Sequence, residues 1–257
     1  MSYYESNGIY EFLKENNIKN FFWTSSDKWI LVYGNDRQEP KVVSVVVKSS
    51  GNSEGISQQE KNIISVVKSM VKDTDIHMNF IRYDADKPLE TVQYWEAGSA
   101  RLETITMDDL RNRFIQYGIK MNENKTKKFI NDRSSSQYHE WQRENMGSDV
   151  TVSDIDLIRF KGNEIKEIIE LKRSKIPLEK WNPYKADFNN FILLSKLAVE
   201  AGIDFYIAYN YRQERPFLDD VSYIKLFEFD YRIKEYYKFI RYLPIEEFVS
   251  DFDPSLN

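Results

Sequence analysis

The sequence predicts an α/β protein whose two halves are joined by a polar connection. In both halves, runs with the composition of β-strands alternate with helical patterns. Residues 205–209 are apolar throughout, which favours a central strand of a mixed sheet covered by helices on both faces. Residues 121–137 are polar, basic and rich in Asn and Ser, as in linkers. We therefore expect a smaller N-terminal α/β or α+β domain at 1–120 and a C-terminal α/β domain at 138–257.

Local signals predict the individual elements within this frame. Ser57 and Glu60 have the spacing of a capping box, which places the start of a helix that continues to Val71. The other elements predicted in the N-terminal half are a helix at 8–15, strands from Trp29 and Lys41, strands at 76–84 and 91–98, and a helix at 107–116. In the C-terminal half they are a helix at 138–145, two strands around Gly162, a helix between Asp187 and Gly202, and strands at 205–209 and 223–229.

Composition narrows the classes of function. The chain of 257 residues has no cysteine, so it can form neither disulfides nor a thiolate metal site. Its two histidines are too few for a zinc cluster. No apolar run approaches the ~18 residues that cross a bilayer, and the first residues lack a signal-peptide pattern, so we expect a cytoplasmic protein with no membrane partner. The net charge of −5 counts against an extended non-specific nucleic-acid-binding surface.

Two charged strands form the predicted centre of the C-terminal half. The runs VSDIDLIRF and KEIIELKRS flank a Gly-Asn pair that is typical of a β-hairpin turn. Asp154 and Asp156 share one face of the first strand, and Glu170 and Lys172 share one face of the second. With a three-residue loop centred on Asn163, Asp156 lies opposite Glu170 and Asp154 lies opposite Lys172. The hairpin therefore gathers carboxylates and an ammonium group on one patch.

Such a cluster predicts metal-assisted chemistry. Neighbouring carboxylates repel one another and raise each other's pKa unless a divalent cation compensates. Oxygen ligands suit Mg²⁺, for which Mn²⁺ can substitute. A lysine beside the metal can orient or deprotonate the attacking water and stabilise charge on a phosphate. The expected reaction is hydrolysis of phosphodiester bonds, with no small-molecule cofactor.

The arrangement resembles the PD-(D/E)XK, or restriction-endonuclease-like, nuclease superfamily. The Ser-Asp pair ending at Asp154 or the Ile-Asp pair ending at Asp156 stands for the PD element, and E-L-K from Glu170 to Lys172 stands for the ExK element. The proline is missing and the aspartate is doubled. Both aspartates therefore stay candidates for the principal ligand, with the hairpin register favouring Asp156. The resemblance covers about residues 134–212.

The resemblance implies a restriction-endonuclease-like core, a mixed sheet flanked by helices, in the C-terminal half. It implies that Asp156 and Glu170 bind Mg²⁺ with help from Asp154, while Lys172 assists the attacking water. Members often carry a further acidic residue on the helix before the hairpin, and Glu140 is the matching candidate. The implied activity is that of a DNA endonuclease, and cutting both strands of a duplex would usually require a homodimer.

Residues around the hairpin are candidates for contact with DNA. Between positions 159 and 185 there are eight basic and four acidic residues, a surplus that suits a phosphate backbone. The expected nucleic-acid-binding residues are Arg173, Lys175, Trp181, Tyr184 and Lys185. Trp181 and Tyr184 have a second interpretation, as anchors of their loop on the core. The segment YRIKEYYKFIRY at 231–242 either lines a nucleic-acid groove or contributes its aromatic rings to the core.

Other interpretations of the whole chain remain open at this stage. The enzyme alternatives are a nuclease acting on RNA or on branched DNA. The non-enzyme alternative is an interaction protein that keeps a nuclease fold with a vestigial site. Strand, strand, helix, strand also recurs in both halves, with Val46-Val47-Lys48 in the place of E-x-K. The N-terminal half is accordingly either a degenerate copy or an unrelated recognition or interaction domain.

Overall fold

The computed structural model of the chain describes residues 7–51, 55–122 and 136–250. The chain forms two compact units. One, the split unit, combines Met1–Trp23 with Ile155–Asn257, and the other, the continuous unit, is Thr24–Asp154. This division differs from the expected domains at 1–120 and 138–257, because each unit takes a segment from the opposite half of the chain. Most of the expected connection at 121–137 lies outside the described residues.

The described residues contain six α-helices and twelve strands. The helices are α1 (Gly8–Glu15), α2 (Gln58–Val71), α3 (Met107–Gln116), α4 (Gln137–Asn145), α5 (Phe188–Ala201) and α6 (Ile245–Val249). The first six strands are β1 (Phe21–Phe22), β2 (Lys28–Gly34), β3 (Pro40–Ser49), β4 (His77–Asp84), β5 (Thr91–Glu96) and β6 (Glu103–Thr106). The last six are β7 (Thr151–Asp154), β8 (Leu157–Lys161), β9 (Glu164–Ser174), β10 (Asp204–Glu214), β11 (Phe217–Phe229) and β12 (Tyr237–Pro244).

Local sequence signals are confirmed at several element ends. The capping box of α2 is complete, since the Ser57 hydroxyl accepts from the Glu60 N–H and the Glu60 carboxylate accepts from the Ser57 N–H at 2.7 Å. α5 ends at Gly202 in the left-handed conformation, with φ of 68°. Asp187 occupies the N-cap position of α5 but makes no side-chain capping bond.

Each unit is built on a six-stranded mixed sheet. In the continuous unit the strand order is β6-β5-β4-β3-β2-β7, and only the pair β3–β4 is parallel. In the split unit the order is β1-β8-β9-β10-β11-β12, and only the pair β9–β10 is parallel. Helices α2 and α5 make the crossovers between the parallel strands. The predicted α/β class with mixed sheets flanked by helices is confirmed.

One order of elements occurs twice along the chain. The series α1-β1-β2-β3-α2-β4-β5-β6-α3 is followed by α4-β7-β8-β9-α5-β10-β11-β12-α6. The sequence also repeats at the start of each series, where α1 and its C-cap read YEFLKEN and α4 reads HEWQREN. The recurrence expected from the strand and helix pattern therefore extends over the described elements of both halves.

The helix-strand arm that starts each series joins the sheet of the other series. β1 precedes β2 in the chain, yet Phe22 pairs with Ile158 of β8. β7 precedes β8, yet Asp154 pairs with Leu31 of β2. The core of the split unit includes Ile9 and Leu13 of α1, and the core of the continuous unit includes Tyr138 of α4 and Met146, the C-cap of α4. This exchange explains why the compact units do not coincide with the halves of the chain.

The two faces of the split unit's sheet are covered by different helices. Ile169 and Leu171 of β9 belong to the hydrophobic cluster that contains α1 and α6. On the opposite face, Lys172 lies over the ring of Phe191 in α5, with its ammonium nitrogen 5.3 Å from the ring centroid. The prediction that Glu170 and Lys172 share a face, with Leu171 on the other side, is confirmed. None of the described helices has the length and apolar composition needed to span a bilayer.

Candidate active site

The predicted hairpin is present with a shorter turn. Lys161 pairs with Glu164, so the loop has two residues rather than the three expected. A bulge further along the ladder shifts the register by one residue. Leu157 consequently lies opposite Ile169, as the three-residue loop would have required. The bulge therefore restores the predicted pairing on the side of the hairpin that leads to Asp156.

The run VSDIDLIRF, expected to be one strand, is divided between the two sheets. It leaves the ladder of β7 at Asp154 and enters the ladder of β8 at Leu157. Asp154 is paired with Leu31 in the continuous unit, so the predicted position opposite Lys172 was wrong. The physical reason is the exchange of arms, because β7 completes the sheet that begins with β2 rather than extending the hairpin.

Three of the predicted residues come together in the split unit. The ammonium nitrogen of Lys172 lies 2.8 Å from Glu170 Oε1. Asp156 Oδ2 accepts a hydrogen bond of 2.8 Å from the backbone N–H of Leu171, the residue between them. The Glu170 side chain is buried, whereas Lys172 exposes 30% of its side chain. The cluster of Asp156, Glu170 and Lys172 therefore reaches solvent through its lysine.

The carboxylates keep the lysine of this cluster charged. Burial by itself would lower the pKa of Lys172, but attraction to Glu170, and more weakly to Asp156 and Asp187, outweighs burial and raises that pKa. An ammonium group that stays protonated near neutral pH does not accept a proton from water. Of the three roles expected for Lys172, orienting water and stabilising charge on a phosphate therefore suit this geometry better than deprotonating water.

The backbone at Asp156 is held by the exchanged arm. The hydroxyl of Tyr10 in α1 donates a hydrogen bond of 2.9 Å to the carbonyl oxygen of Asp156. The ring of Tyr10 stacks on Trp23 with centroids 5.7 Å apart. Sequence reasoning missed this contact because Tyr10 carries no catalytic motif and its partner is remote in the chain. The only local signal was the helical pattern at 8–15.

Two predicted acidic residues belong to the other unit. Glu140 lies on α4 with an exposed side chain, and Asp154 ends β7, also exposed. Both are assigned to the continuous unit, whereas Asp156, Glu170 and Lys172 belong to the split unit. The roles expected for Glu140 and Asp154 beside Asp156 therefore stay predictions.

Two of the basic residues expected to contact DNA form ion pairs. Arg173 lies 3.0 Å from Asp219, a buried carboxylate that also binds Arg212 at 2.8 Å. Lys175 is exposed and lies 3.1 Å from Glu214. The guanidinium of Arg173 is thus engaged within the fold, which weakens its expected role as a phosphate contact. An exposed pair such as that of Lys175 contributes little stability and can be exchanged for a phosphate.

The aromatic residues of the loop after β9 have different environments. Trp181 is only 2% exposed and stacks on Tyr209, with centroids 4.2 Å apart. A ring covered in this way has no face for a base, so its predicted stacking role was wrong and the interpretation as an anchor is confirmed. Tyr184, in contrast, is 47% exposed, and the neighbouring Lys185 is exposed as well.

The donor set of the cluster fits a hard divalent cation. Among the residues that the structure describes, no group of three or more His, Cys, Asp and Glu side chains could hold a metal ion. The cluster offers the carboxylates of Asp156 and Glu170. Mg²⁺ in proteins is commonly held by one or two carboxylates, with water and substrate phosphate oxygens completing its shell. The residues present therefore suit Mg²⁺ or Mn²⁺ in the presence of a phosphate substrate.

Comparison with known proteins found no matching family model, no matching curated protein and no matching solved structure.

Proposed function

We propose that this protein is a Mg²⁺-dependent nuclease that hydrolyses phosphodiester bonds of DNA, with the split unit as a restriction-endonuclease-like catalytic core. The observation that carries the proposal is the cluster of Asp156, Glu170 and Lys172 on a β-hairpin. Two carboxylates beside a lysine that stays protonated are suited to phosphate chemistry. Endonuclease action, a cytoplasmic location and a homodimer for cutting both strands belong to the same proposal.

Each residue of the cluster has a distinct role in this proposal. Asp156 and Glu170 would hold the metal ion, which when bound would stabilise charge on the phosphate and lower the pKa of its water. Lys172 would place its ammonium group against the phosphate and stabilise the charge that develops in the transition state. Glu170 also orients Lys172 through the contact of 2.8 Å. The proposal does not require Asp154 or Glu140.

Cleavage of defined substrates tests the proposal. Supercoiled plasmid, linear duplex, single-stranded DNA and RNA would each be incubated with the protein and Mg²⁺ or Mn²⁺, with EDTA as the metal-free arm. We expect metal-dependent cleavage of DNA and a loss of at least about 100-fold in Lys172→Ala. Lys48→Ala is the matched control, because Lys48 occupies the corresponding position in the continuous unit and is exposed. Equal activity of wild type and Lys172→Ala, or cleavage that persists in EDTA, would refute the proposal.

Metal binding provides a second test that does not depend on the substrate. Titration with Mn²⁺, followed by its paramagnetic signal, should show binding that Asp156→Ala removes. A protein that keeps only a vestigial site would show no difference between wild type and Asp156→Ala. That result would favour an interaction protein over an enzyme.

A further inference from the structure

A row of paired residues connects the cluster with the edge of its sheet. Lys172 pairs with Tyr209 of β10, Tyr209 pairs with Lys225 of β11, and Lys225 pairs with Tyr242 of β12. Paired residues of neighbouring strands project from the same face of a sheet. The side chains of Lys172 and Tyr242 therefore lie on one face, three strands apart. At about 4.8 Å between neighbouring strands, this separation is roughly 14 Å.

A second row runs beside the first. Glu170 pairs with Ile207, Ile207 pairs with Phe227, and Phe227 pairs with Phe239 of the edge strand β12. Its end lies next to the end of the first row, since the ring centroids of Phe239 and Tyr242 are 5.0 Å apart. The face that carries the cluster thus ends in two adjacent aromatic rings.

The rings at the edge are exposed and rest on a buried aromatic layer. Phe239 and Tyr242 are each 43% exposed, and Tyr184 in the loop after β9 is 47% exposed. We call these three residues the aromatic track. The ring centroid of buried Trp181 lies 6.0 Å from that of Tyr184 and 5.7 Å from that of Phe227. The centroids of Phe227 and Phe239 are 5.9 Å apart. The exposed rings are therefore connected by packed rings rather than by mobile side chains.

A buried lysine stabilises this arrangement. The ammonium nitrogen of Lys225 lies 5.6 Å from the Phe239 centroid and 5.8 Å from the Tyr242 centroid, within the range of cation–π contacts. It also donates a hydrogen bond of 2.6 Å to the carbonyl oxygen of Trp181. Lys225 therefore fixes the loop that carries Tyr184 relative to the edge strand.

Basic residues outnumber acidic ones in the two segments that carry the aromatic track. Residues 231–242 contain four basic side chains and one acidic side chain, although Arg232 and Arg241 pair with Asp230 and Glu247 just outside that segment. Residues 175–185 contain three basic and one acidic, and Lys180 and Lys185 are exposed on either side of Tyr184 along the chain. The whole chain, in contrast, has a net charge of −5. Exposed aromatic rings flanked by local positive charge fit a polyanion with stackable groups better than they fit an apolar protein surface.

We propose that the aromatic track binds single-stranded nucleic acid and leads the strand to the cluster of Asp156, Glu170 and Lys172. Unpaired bases would stack on Tyr184, Phe239 and Tyr242, and phosphates would meet exposed lysines such as Lys180 and Lys185. A continuous duplex presents no free base faces, so it would not use the track. The binding is argued from the surface itself, whereas the delivery of the strand for cleavage rests on the proposed nuclease function. The inference thus names unpaired DNA as the preferred substrate.

Binding of a fluorescently labelled oligo(dT) in EDTA tests the track without cleavage. Phe239→Ala and Tyr242→Ala should each weaken binding by at least about fivefold, because one stacked base is lost. Tyr242→Phe should bind like wild type, whereas Phe239→Leu should bind weakly, which separates stacking from general hydrophobicity. Ile115→Ala is the control, since Ile115 is an exposed apolar residue of the continuous unit. Circular dichroism verifies the fold of each variant.

The outcomes separate this inference from the nuclease proposal. Weaker oligo(dT) binding in the two alanine variants supports the track, even if wild type cleaves nothing when Mg²⁺ is supplied. Unchanged binding in both variants overturns the track, even if wild type is an active nuclease. A blunt duplex that binds wild type as tightly as oligo(dT) also overturns it. The inference is also overturned if the alanine variants change from dimer to monomer but still bind oligo(dT) like wild type. The rings would then form an interface between two copies of the chain.

Discussion

The two units contain equivalent elements with the same strand pairing, but they differ at the positions of the proposed site. Lys172 in the split unit pairs with a tyrosine of the next parallel strand, and Lys48 does the same in the continuous unit. Two positions earlier, Glu170 corresponds to Val46. Val46 pairs with Trp29 in the hairpin of the continuous unit. The continuous unit therefore retains the lysine and has apolar residues where the split unit has carboxylates.

This difference separates what the fold needs from what the chemistry needs. Burying a carboxylate costs free energy unless a partner compensates, whereas burying valine does not. The continuous unit shows that the same sheet forms with Val46 in this position. Folding therefore does not explain Glu170, and its presence beside Asp156 and Lys172 supports a chemical role for the split unit. We expect the continuous unit to have no hydrolytic site of the same kind.

Arg82 offers the change with the largest expected effect. In the continuous unit, Arg82 Nε donates to Glu60 Oε1 at 2.9 Å and Arg82 Nη2 donates to Glu60 Oε2 at 2.5 Å, so the two side chains form a buried ion pair. The equivalent position of β10 in the split unit is Ala208. Arg82→Ala would leave Glu60 buried without its partner and should lower the free energy of unfolding by about 3–5 kcal/mol. Urea unfolding measures the loss, and the ion pair is structurally unimportant if the loss is below about 1 kcal/mol.

The same pair predicts a dependence on pH. Burial alone raises the pKa of Glu60, but hydrogen bonds from Arg82 and Ser57 outweigh burial and lower it below its ordinary value. The folded state therefore binds the Glu60 proton less tightly than the unfolded chain. The stabilisation that ionised Glu60 gives the folded state is complete above the pKa that Glu60 has in the unfolded chain. It is lost as the pH falls through the pKa that Glu60 has in the folded state. The difference in unfolding free energy between wild type and Glu60→Gln should shrink on acidification.

Glu170→Val gives the split unit the residue type that the continuous unit has at the equivalent position, Val46. We expect metal-dependent cleavage to fall by at least about 100-fold, because a metal ligand and the partner of Lys172 are removed together. The melting temperature should change little, because the desolvation cost of Glu170 is removed and Lys172, with 30% of its side chain exposed, stays in contact with solvent. The reciprocal change, Val46→Glu, is the control and should destabilise the protein without adding activity. A large loss of stability in Glu170→Val would contradict the separation of fold and chemistry.

Gly8 tests how the exchanged arm fits the split unit. A Cβ atom at Gly8 would lie 2.7 Å from Asp219 Cβ and 2.9 Å from Val221 Cγ1, too close for undistorted packing. Gly8→Ala should therefore destabilise the protein by about 1–3 kcal/mol through overpacking, despite the better helix propensity of alanine. Gln137→Ala is the matched control, because Gln137 is the exposed first residue of α4. Equal stability of the two variants would show that α1 does not pack as described.

Tyr10→Phe is expected to have the smallest effect. It removes one hydrogen bond to the Asp156 carbonyl and should cost about 0.5–1.5 kcal/mol of stability. If Tyr10 positions Asp156, affinity for Mn²⁺ should decrease together with cleavage. His139 occupies the equivalent position of α4, so His139→Phe should leave Mn²⁺ affinity unchanged. A Tyr10→Phe variant with lower stability and unaltered Mn²⁺ affinity would limit Tyr10 to a structural role.

Much of the fold could be predicted because its signals are local. The bounds of α1 and α3, the capping box at Ser57 and the hairpin turn at Gly162 follow from residues within a few positions of one another. The grouping of Asp156, Glu170 and Lys172 was also predictable, since a hairpin converts a short sequence distance into a spatial one. An anchoring role for Trp181 was one of two interpretations of the sequence, but its partner Tyr209 was not predictable, because that contact depends on packing between a loop and a distant strand.

The sequence by itself determined which segments become helices and strands and which hairpin carries the carboxylates and the lysine. Only the tertiary structure decided that the two arms exchange sheets, that Asp154 leaves the hairpin, and that Tyr10 reaches Asp156. Periodicity, caps and turns depend on neighbouring residues and are therefore written in the sequence. The choice of a strand's partner depends on which sheet edge is open in the folded chain. β1, with two residues, and β7, with four, carry no local pattern that could encode that choice.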